Sequence, residues 1–375
     1  MRTGFLLLAA ALAVAVPAPA AAAAQDECAA PANLNLRIKA HYDFTMIYKS
    51  QCAEQKNWGR EFPDLTADNG AVSVTTSTAL AGSIASVRWG GREFIGSGGH
   101  GAAFQWALRP LVTRLQDPTG KPGPTECFNP TQAGSQDDDR ETNAPFHGDS
   151  TSYLHDPKLT GATFSSVNRM ANYVPYGQEG HPNPGETANC KATDYQRNVS
   201  PFSDGLSQYV LWSQIALAPD HDLPLPNVFR VRGDIVSEDS PRTVASTLVA
   251  YTLKEFSAQY RYNLDAKQLT EFGHDEGGQA DPVLRCTETG SHCMAFYLQR
   301  SRFPFQAPAG APMNNTYFWA HSEAPRAYNA WGGAYTMEVT NYTDNFRGLN
   351  AEVYVAVGDQ DLVLKTLDKL RELKP

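Results

Sequence analysis

The stretch Val228–Val236, VFRVRGDIV, decides the fold: Phe229, Val231 and Ile235 alternate with Arg230, Arg232 and Asp234. Successive side chains leave a pleated strand on opposite faces, so a period of two with one polar side marks a half-buried antiparallel strand. The pattern repeats on either side of it. SQYVLWSQIAL, residues 207–217, puts Tyr209, Leu211, Ile215 and Leu217 on one side, and SIASVRW, TLVAYTL, SAQYRYN, CMAFYLQ, AYTMEVTNYT and AEVYVAVG read as further strands. Helical periodicity is clear only at the end, where Asp359 can cap a segment that places Val363, Leu367 and Leu370 on one stripe. The expected fold is all-β, a large antiparallel β-sandwich with a long loop insertion and a short C-terminal helix.

The first 24 residues read as a secretory leader, with a charge at Arg2, an apolar run from Phe5 to Val16 and an alanine-rich end near Ala24. A secreted or periplasmic protein is expected, its mature chain starting near Gln25. Removing Arg2 leaves 30 basic residues against 40 acidic ones, a formal charge of −10. That balance gives no support to a nucleic-acid or anionic-membrane partner, both of which need clustered Lys and Arg. No other apolar run approaches the about 20 residues of a membrane span. Residues 25–375 are expected to form one sandwich domain acting as a monomer, interrupted by an irregular Pro-, Gly- and Asp-rich insertion at about 116–204.

Six cysteines, Cys28, Cys52, Cys127, Cys190, Cys286 and Cys293, form no CxxC pair. In an exported chain an even count favours disulfides over metal thiolates. Fifteen pairings of six are possible; short loops favour Cys28–Cys52, Cys127–Cys190 and Cys286–Cys293, and CTETGSHC reads as a hairpin closed by its own bridge.

A glycine-rich run surrounds His100 in GGREFIGSGGHGAAFQWALRP, residues 90–110. Glycine lets a backbone turn sharply or approach a ligand closely, so His100 is a candidate acid, base or sugar ligand at the rim of a cavity. In the strand that follows, Gln105 falls on the opposite face from Phe104 and Trp106. The stretch AGSIASVRWGGREFI, residues 81–95, followed by this histidine–glycine turn and a glutamine-bearing strand, resembles the opening of galactose-mutarotase-like β-sandwich proteins; it is also similar to a set of secreted bacterial proteins. The likeness runs loosely from Val72 to Gly358. It implies a large sheet whose concave face binds saccharides, and a fold shared by mutarotases, polysaccharide lyases and the sugar-binding domains of glycosidases. Aldose mutarotases carry arginines and an asparagine in the strand where this chain has HGAAFQWALR.

Three further clusters carry candidate chemistry. In TECFNPTQAGSQDDDRET, residues 125–142, a bridged Cys127 would hold Glu126 and Asn129 rigidly, Glu126 as a general acid or base, while Asp137, Asp138 and Asp139 could supply oxygens to a calcium ion. In NRMANYVPYGQEGH, residues 168–181, Arg169, Tyr173 and Tyr176 suit a sugar site, since pyranose faces pack on rings while hydroxyls need directed hydrogen bonds. Tyr173 with a histidine also suits β-elimination from a uronate. NTYFWAHSE adds Trp319 and His321 in the same style. Arg88, Arg169, Arg230 and Arg232 could form a local positive floor. No GxSxG elbow, HExxH pair or phosphate loop is present.

These readings converge on a carbohydrate-active protein. Expected catalytic residues are His100, Glu126 and Tyr173; expected saccharide-binding residues are Gln105, Asn129, Arg169, Tyr176, Trp319 and His321. No cofactor is required, and calcium is optional. Hydrolysis, elimination, epimerisation of a free sugar and binding without catalysis all stay open.

Overall fold

The computed structural model describes residues 64–96, 103–110, 130–134, 150, 152–172, 206–237, 244–271, 281–298, 316–322, 333–343 and 348–373. The first 24 residues, expected to be a leader, and Cys28, Cys52, Cys127 and Cys190 lie outside them. The strands are β1 (Leu65–Asp68), β2 (Val72–Ser77), β3 (Ser83–Trp89), β4 (Arg92–Glu93), β5 (Gln105–Pro110), β6 (Pro130–Thr131), β7 (Tyr153–Thr160), β8 (Thr163–Asn172) and β9 (Leu206–Leu217). They continue with β10 (Val228–Ser237), β11 (Val244–Leu253), β12 (Ala258–Asn263), β13 (Gln268–Glu271), β14 (Val283–Cys286), β15 (Cys293–Tyr297), β16 (Thr316–Ser322), β17 (Gly333–Thr343) and β18 (Gly348–Gly358). One helix, α1 (Gln360–Leu373), follows.

Strands β1–β4 form a four-stranded sheet in sequence order, and the rest form one large sheet running β13-β12-β14-β15-β18-β10-β9-β8-β6-β5-β11-β17-β16, with β7 paired to β8. Every pairing is antiparallel. The large sheet turns back on itself. Phe104 beside β5 meets Phe229 of β10 at 6.1 Å and Phe296 of β15 at 5.5 Å between ring centroids. The predicted sandwich is thus made mostly by two wings of one sheet.

The alternation read in VFRVRGDIV explains the core. Phe229, Val231 and Ile235 are buried with Tyr209, Leu211, Ile215 and Leu217 of β9, Val353, Val355 and Val357 of β18, and Trp106 and Leu108 of β5. The small sheet closes this core from one side. Ile84 of β3 exchanges two backbone hydrogen bonds of 3.0 Å with Phe104, and Phe94 stacks on Phe256 at 4.7 Å. Its β3–β4 hairpin turns on Gly90 and Gly91, at φ 58° and 80°, which a two-residue turn of this hand requires and which glycine alone adopts freely.

Helix α1 forms as the capping pattern predicts. The Leu362 N–H donates to Asp359 Oδ1 at 2.8 Å, and Val363, Leu367 and Leu370 are buried. They cover the other face of the β10 wing over Val228, Ala295, Tyr354 and Ala356. The predicted Cys286–Cys293 bridge is present, with Cα atoms 4.1 Å apart. The segment 116–204, read as irregular, contributes β6, β7 and β8. The ten residues of β8 lie inside the large sheet, where SSVNRMAN supplies Met170 to the core, and Ser166 and Asn168 are buried polar residues. Short polar residues masked this strand because its partners provide the burial.

Candidate functional site

The outer face of β9, β10 and β18 divides in two. Under α1 it is apolar; beyond the helix it becomes polar. Register places Arg230 opposite Ala216 and Tyr354, Arg232 opposite Gln214 and Glu352, and Asp234 opposite Trp212 and Asn350. Directly opposed residues in antiparallel strands share a face. Arg230, Arg232, Asp234, Trp212, Gln214, Glu352 and Tyr354 therefore form one contiguous surface, because Phe229, Val231 and Val353 are drawn to the core on the other side.

The side chains there are held by each other. Arg230 Nη2 donates to Gln214 Oε1 at 2.9 Å, and its Nη1 lies 4.0 Å from Glu352 Oε2. The Tyr354 hydroxyl donates to Glu352 Oε1 at 2.6 Å. Arg232 Nη2 donates to Asp234 Oδ2 at 3.3 Å, and its guanidinium carbon stands 5.3 Å from the centroid of the Trp212 ring, in cation–π range. The side chains of Asp234 and Glu352 are 14% and 12% exposed, those of Arg230 and Arg232 19% and 35%. The four charges are thus partly desolvated, which strengthens their interactions relative to open surface.

His221, in the β9–β10 turn, is tied to the start of β10, the strand that carries the two arginines. Its Nδ1 accepts from the Leu223 N–H at 3.2 Å, so its Nε2 carries the proton and donates to the Val228 carbonyl at 2.8 Å. Burial pushes its pKa below 6.5; the Val228 carbonyl pulls the other way, and the Arg230 charge adds to the lowering. The unfolded chain therefore binds this proton more readily than the folded one. Stability contributed by His221 is complete above about pH 6.5 and is lost as pH falls below it. His292 adds in the same direction, lowered first by burial and then by Arg92. The urea midpoint is expected to be lower at about pH 5 than at about pH 7, with His221→Gln flattening the slope; a midpoint level across that interval contradicts this.

The sequence-predicted residues fall in three groups. His100, Glu126, Asn129, Asp137, Asp138, Asp139, Tyr173 and Tyr176 lie outside the described residues. Gln105 is buried, 3% exposed, on the face of β5 away from Trp106, and its Oε1 accepts from the Ala133 N–H at 2.9 Å. Trp319 and His321 occupy β16, at the edge of the opposite wing, in register with Glu338 and Thr336. Of the four arginines, Arg88 is on the small sheet, 60% exposed and 3.5 Å from Glu93. Arg169 of β8 stands opposite Val210, on the same side of the sheet as Trp212; it is fully buried and its Nε donates to the Ser207 carbonyl at 2.9 Å. Arg230 and Arg232 alone form the floor. Trp212, Gln214, Asp234, Glu352 and Tyr354 were absent from the predicted site. The signal for them was the face of β9, β10 and β18 opposite the core phase, SQYVLWSQIAL placing Trp212 and Gln214 out of phase with Leu211 and Ile215, and AEVYVAVG placing Glu352 and Tyr354 out of phase with three valines.

No three His, Cys, Asp or Glu side chains come together as a metal site among the described residues, and no described helix is long and apolar enough to cross a membrane.

No protein-family model matches the chain, and no curated protein is significantly similar to it. Among solved structures it is similar to one from Escherichia coli K12 described as a candidate aldose 1-epimerase, at 8% identity over 79% of this chain and 98% of that one, TM-score 0.39. A galactose mutarotase-like protein from Clostridium acetobutylicum matches at 5% identity over 79% and 94%, TM-score 0.36. A heparan sulfate lyase mutant from Pedobacter heparinus matches at 9% identity over 86% of this chain and 40% of that one, TM-score 0.35.

Proposed function

We propose that this chain is an exported carbohydrate-active enzyme that binds a polysaccharide or oligosaccharide on the polar face of β9, β10 and β18 and cleaves it by acid–base catalysis. One observation carries the reading. An indole, an amide, two guanidinium groups, two carboxylates and a phenol share one contiguous surface next to a rigid core. Saccharide sites combine such a ring with directed hydrogen-bonding groups, because a pyranose offers C–H faces and a rim of hydroxyls.

Asp234 and Glu352 are diagonal neighbours across β10 and β18. Such positions stand about 7–8 Å apart at the backbone, which lets two carboxyls reach the spacing of about 6.5–9.5 Å that an inverting glycosidase uses. One would protonate the leaving oxygen while the other takes a proton from the attacking water. Tyr354 Oη, on Glu352 Oε1, would hold that carboxyl in place. No cofactor is required for this chemistry, and calcium, if any, would have a structural role.

The test is to incubate the mature protein with neutral and uronate polysaccharides, following reducing ends and the absorbance of unsaturated products. Reducing ends without absorbance are expected, and both together would replace hydrolysis by elimination. Asp234→Asn and Glu352→Gln are each expected to lower the rate about 10²-fold or more while saccharide still binds. Binding with neither product would leave a carbohydrate-binding protein; rates within twofold of the parent in both variants would remove these carboxylates from the chemistry.

A further inference from the structure

Arg230 and Arg232 are underused. A guanidinium has five N–H donors, yet each of these makes one hydrogen bond, Arg230 to Gln214 and Arg232 to Asp234. The Nε of each is buried without an acceptor. The carboxylates do not compensate for this. Glu352 stays 4.0 Å from Arg230, beyond hydrogen-bonding range, and one of its oxygens accepts from Tyr354. Gln214 is neutral. Two cationic forks thus stand two residues apart on one face of one strand, each with a single protein acceptor and a buried Nε that has none, in a chain whose formal charge is −9. A buried cationic donor without an acceptor is costly, and the arrangement persists because the stems are fixed by β-sheet register rather than by their own pairing.

We propose that Arg230 and Arg232 form an anion clamp, so that the saccharide taken by this face carries a negatively charged oxygen group, a uronic-acid carboxylate or a sulfate ester. Guanidinium forks match the paired oxygens of such groups bidentately. Arg232 is fixed above Trp212, so a sugar ring seated beside the indole would bring a charged substituent to the two forks. The net negative charge of the chain disfavours anions at long range, so selection for one must come from these local contacts. This inference rests on the saccharide reading above and narrows its ligand.

The experiment measures binding by calorimetry of four probes: a uronate oligosaccharide, the same oligosaccharide with its carboxyls reduced to alcohols, a sulfated neutral oligosaccharide and its unsulfated parent. At least one charged member is expected to bind ten times or more tightly than its uncharged counterpart, and which pair shows the gap identifies the anionic group. Arg230→Gln and Arg232→Gln are each expected to shrink that gap at least fivefold, with folding checked by the urea midpoint. The comparison of charged and uncharged probes on the parent protein stands even if a variant fails to fold. Equal affinity for the charged and uncharged members of both pairs overturns the clamp and leaves the saccharide reading intact. Absence of binding to all four probes overturns both.

Discussion

Gly233→Ala is expected to destabilise the protein by about 2–3 kcal/mol, the upper part of the range for overpacking a core. A Cβ at this position would stand 2.6 Å from Trp106 Cε2, 2.8 Å from Nε1 and 2.9 Å from Cζ2. Neither side can yield easily. Gly233 belongs to β10, paired to both β9 and β18, and Trp106 is 2% exposed between the wings of the sheet. The Trp106 indole N–H has no acceptor, so Trp106→Phe removes an unsatisfied donor together with the atoms that collide. The double variant is therefore expected to be more stable than the sum of the single changes by at least about 1 kcal/mol, a coupling that a double-mutant cycle from urea unfolding reads directly. Additive costs would mean that the two residues are not in contact.

Removing the Cys286–Cys293 bridge is expected to cost about 2.5 kcal/mol, the chain-entropy value for a closed loop of eight residues, the cysteines being seven apart in sequence. The loss should be felt beyond the hairpin. Its Gly290 carbonyl accepts from the Gln360 N–H at 2.9 Å, at the start of α1, and its His292 meets Trp89 edge-on at 5.4 Å. Both cysteines are fully buried in the cluster that α1 covers. In the Cys286→Ala/Cys293→Ala variant, amides of α1 are expected to exchange faster than those of β9 and β10, whose ladders do not depend on this turn. A urea midpoint unchanged by the double substitution would contradict the assignment.

The strands, the core and the helix were legible because each is a local pattern. Phe229, Val231 and Ile235 alternate with polar residues, and Val363, Leu367 and Leu370 recur at helical spacing; burial follows from phase alone. The seven-residue separation of Cys286 and Cys293 likewise made one disulfide readable. β8 was not legible, since a strand rich in Ser and Asn looks like loop until its neighbours are known. Gln105 was placed on the correct face of its strand, but the Ala133 N–H it accepts from belongs to the turn after β6, at the far end of a connection the sequence does not describe.

The site shows the same division more sharply. Residues 230, 232 and 234 could be read as the polar phase of one strand. Nothing in the order of the residues says that this strand lies between 212–214 on one side and 352–354 on the other. Sequence by itself determined which side chains of this protein face away from the core, because a pleated backbone allows only two sides. Tertiary structure alone decided which of them meet: pairing of β10 with β18 joins residues more than a hundred positions apart, and such a pairing is chosen by the burial of the opposite faces, not by the charged groups that it brings together.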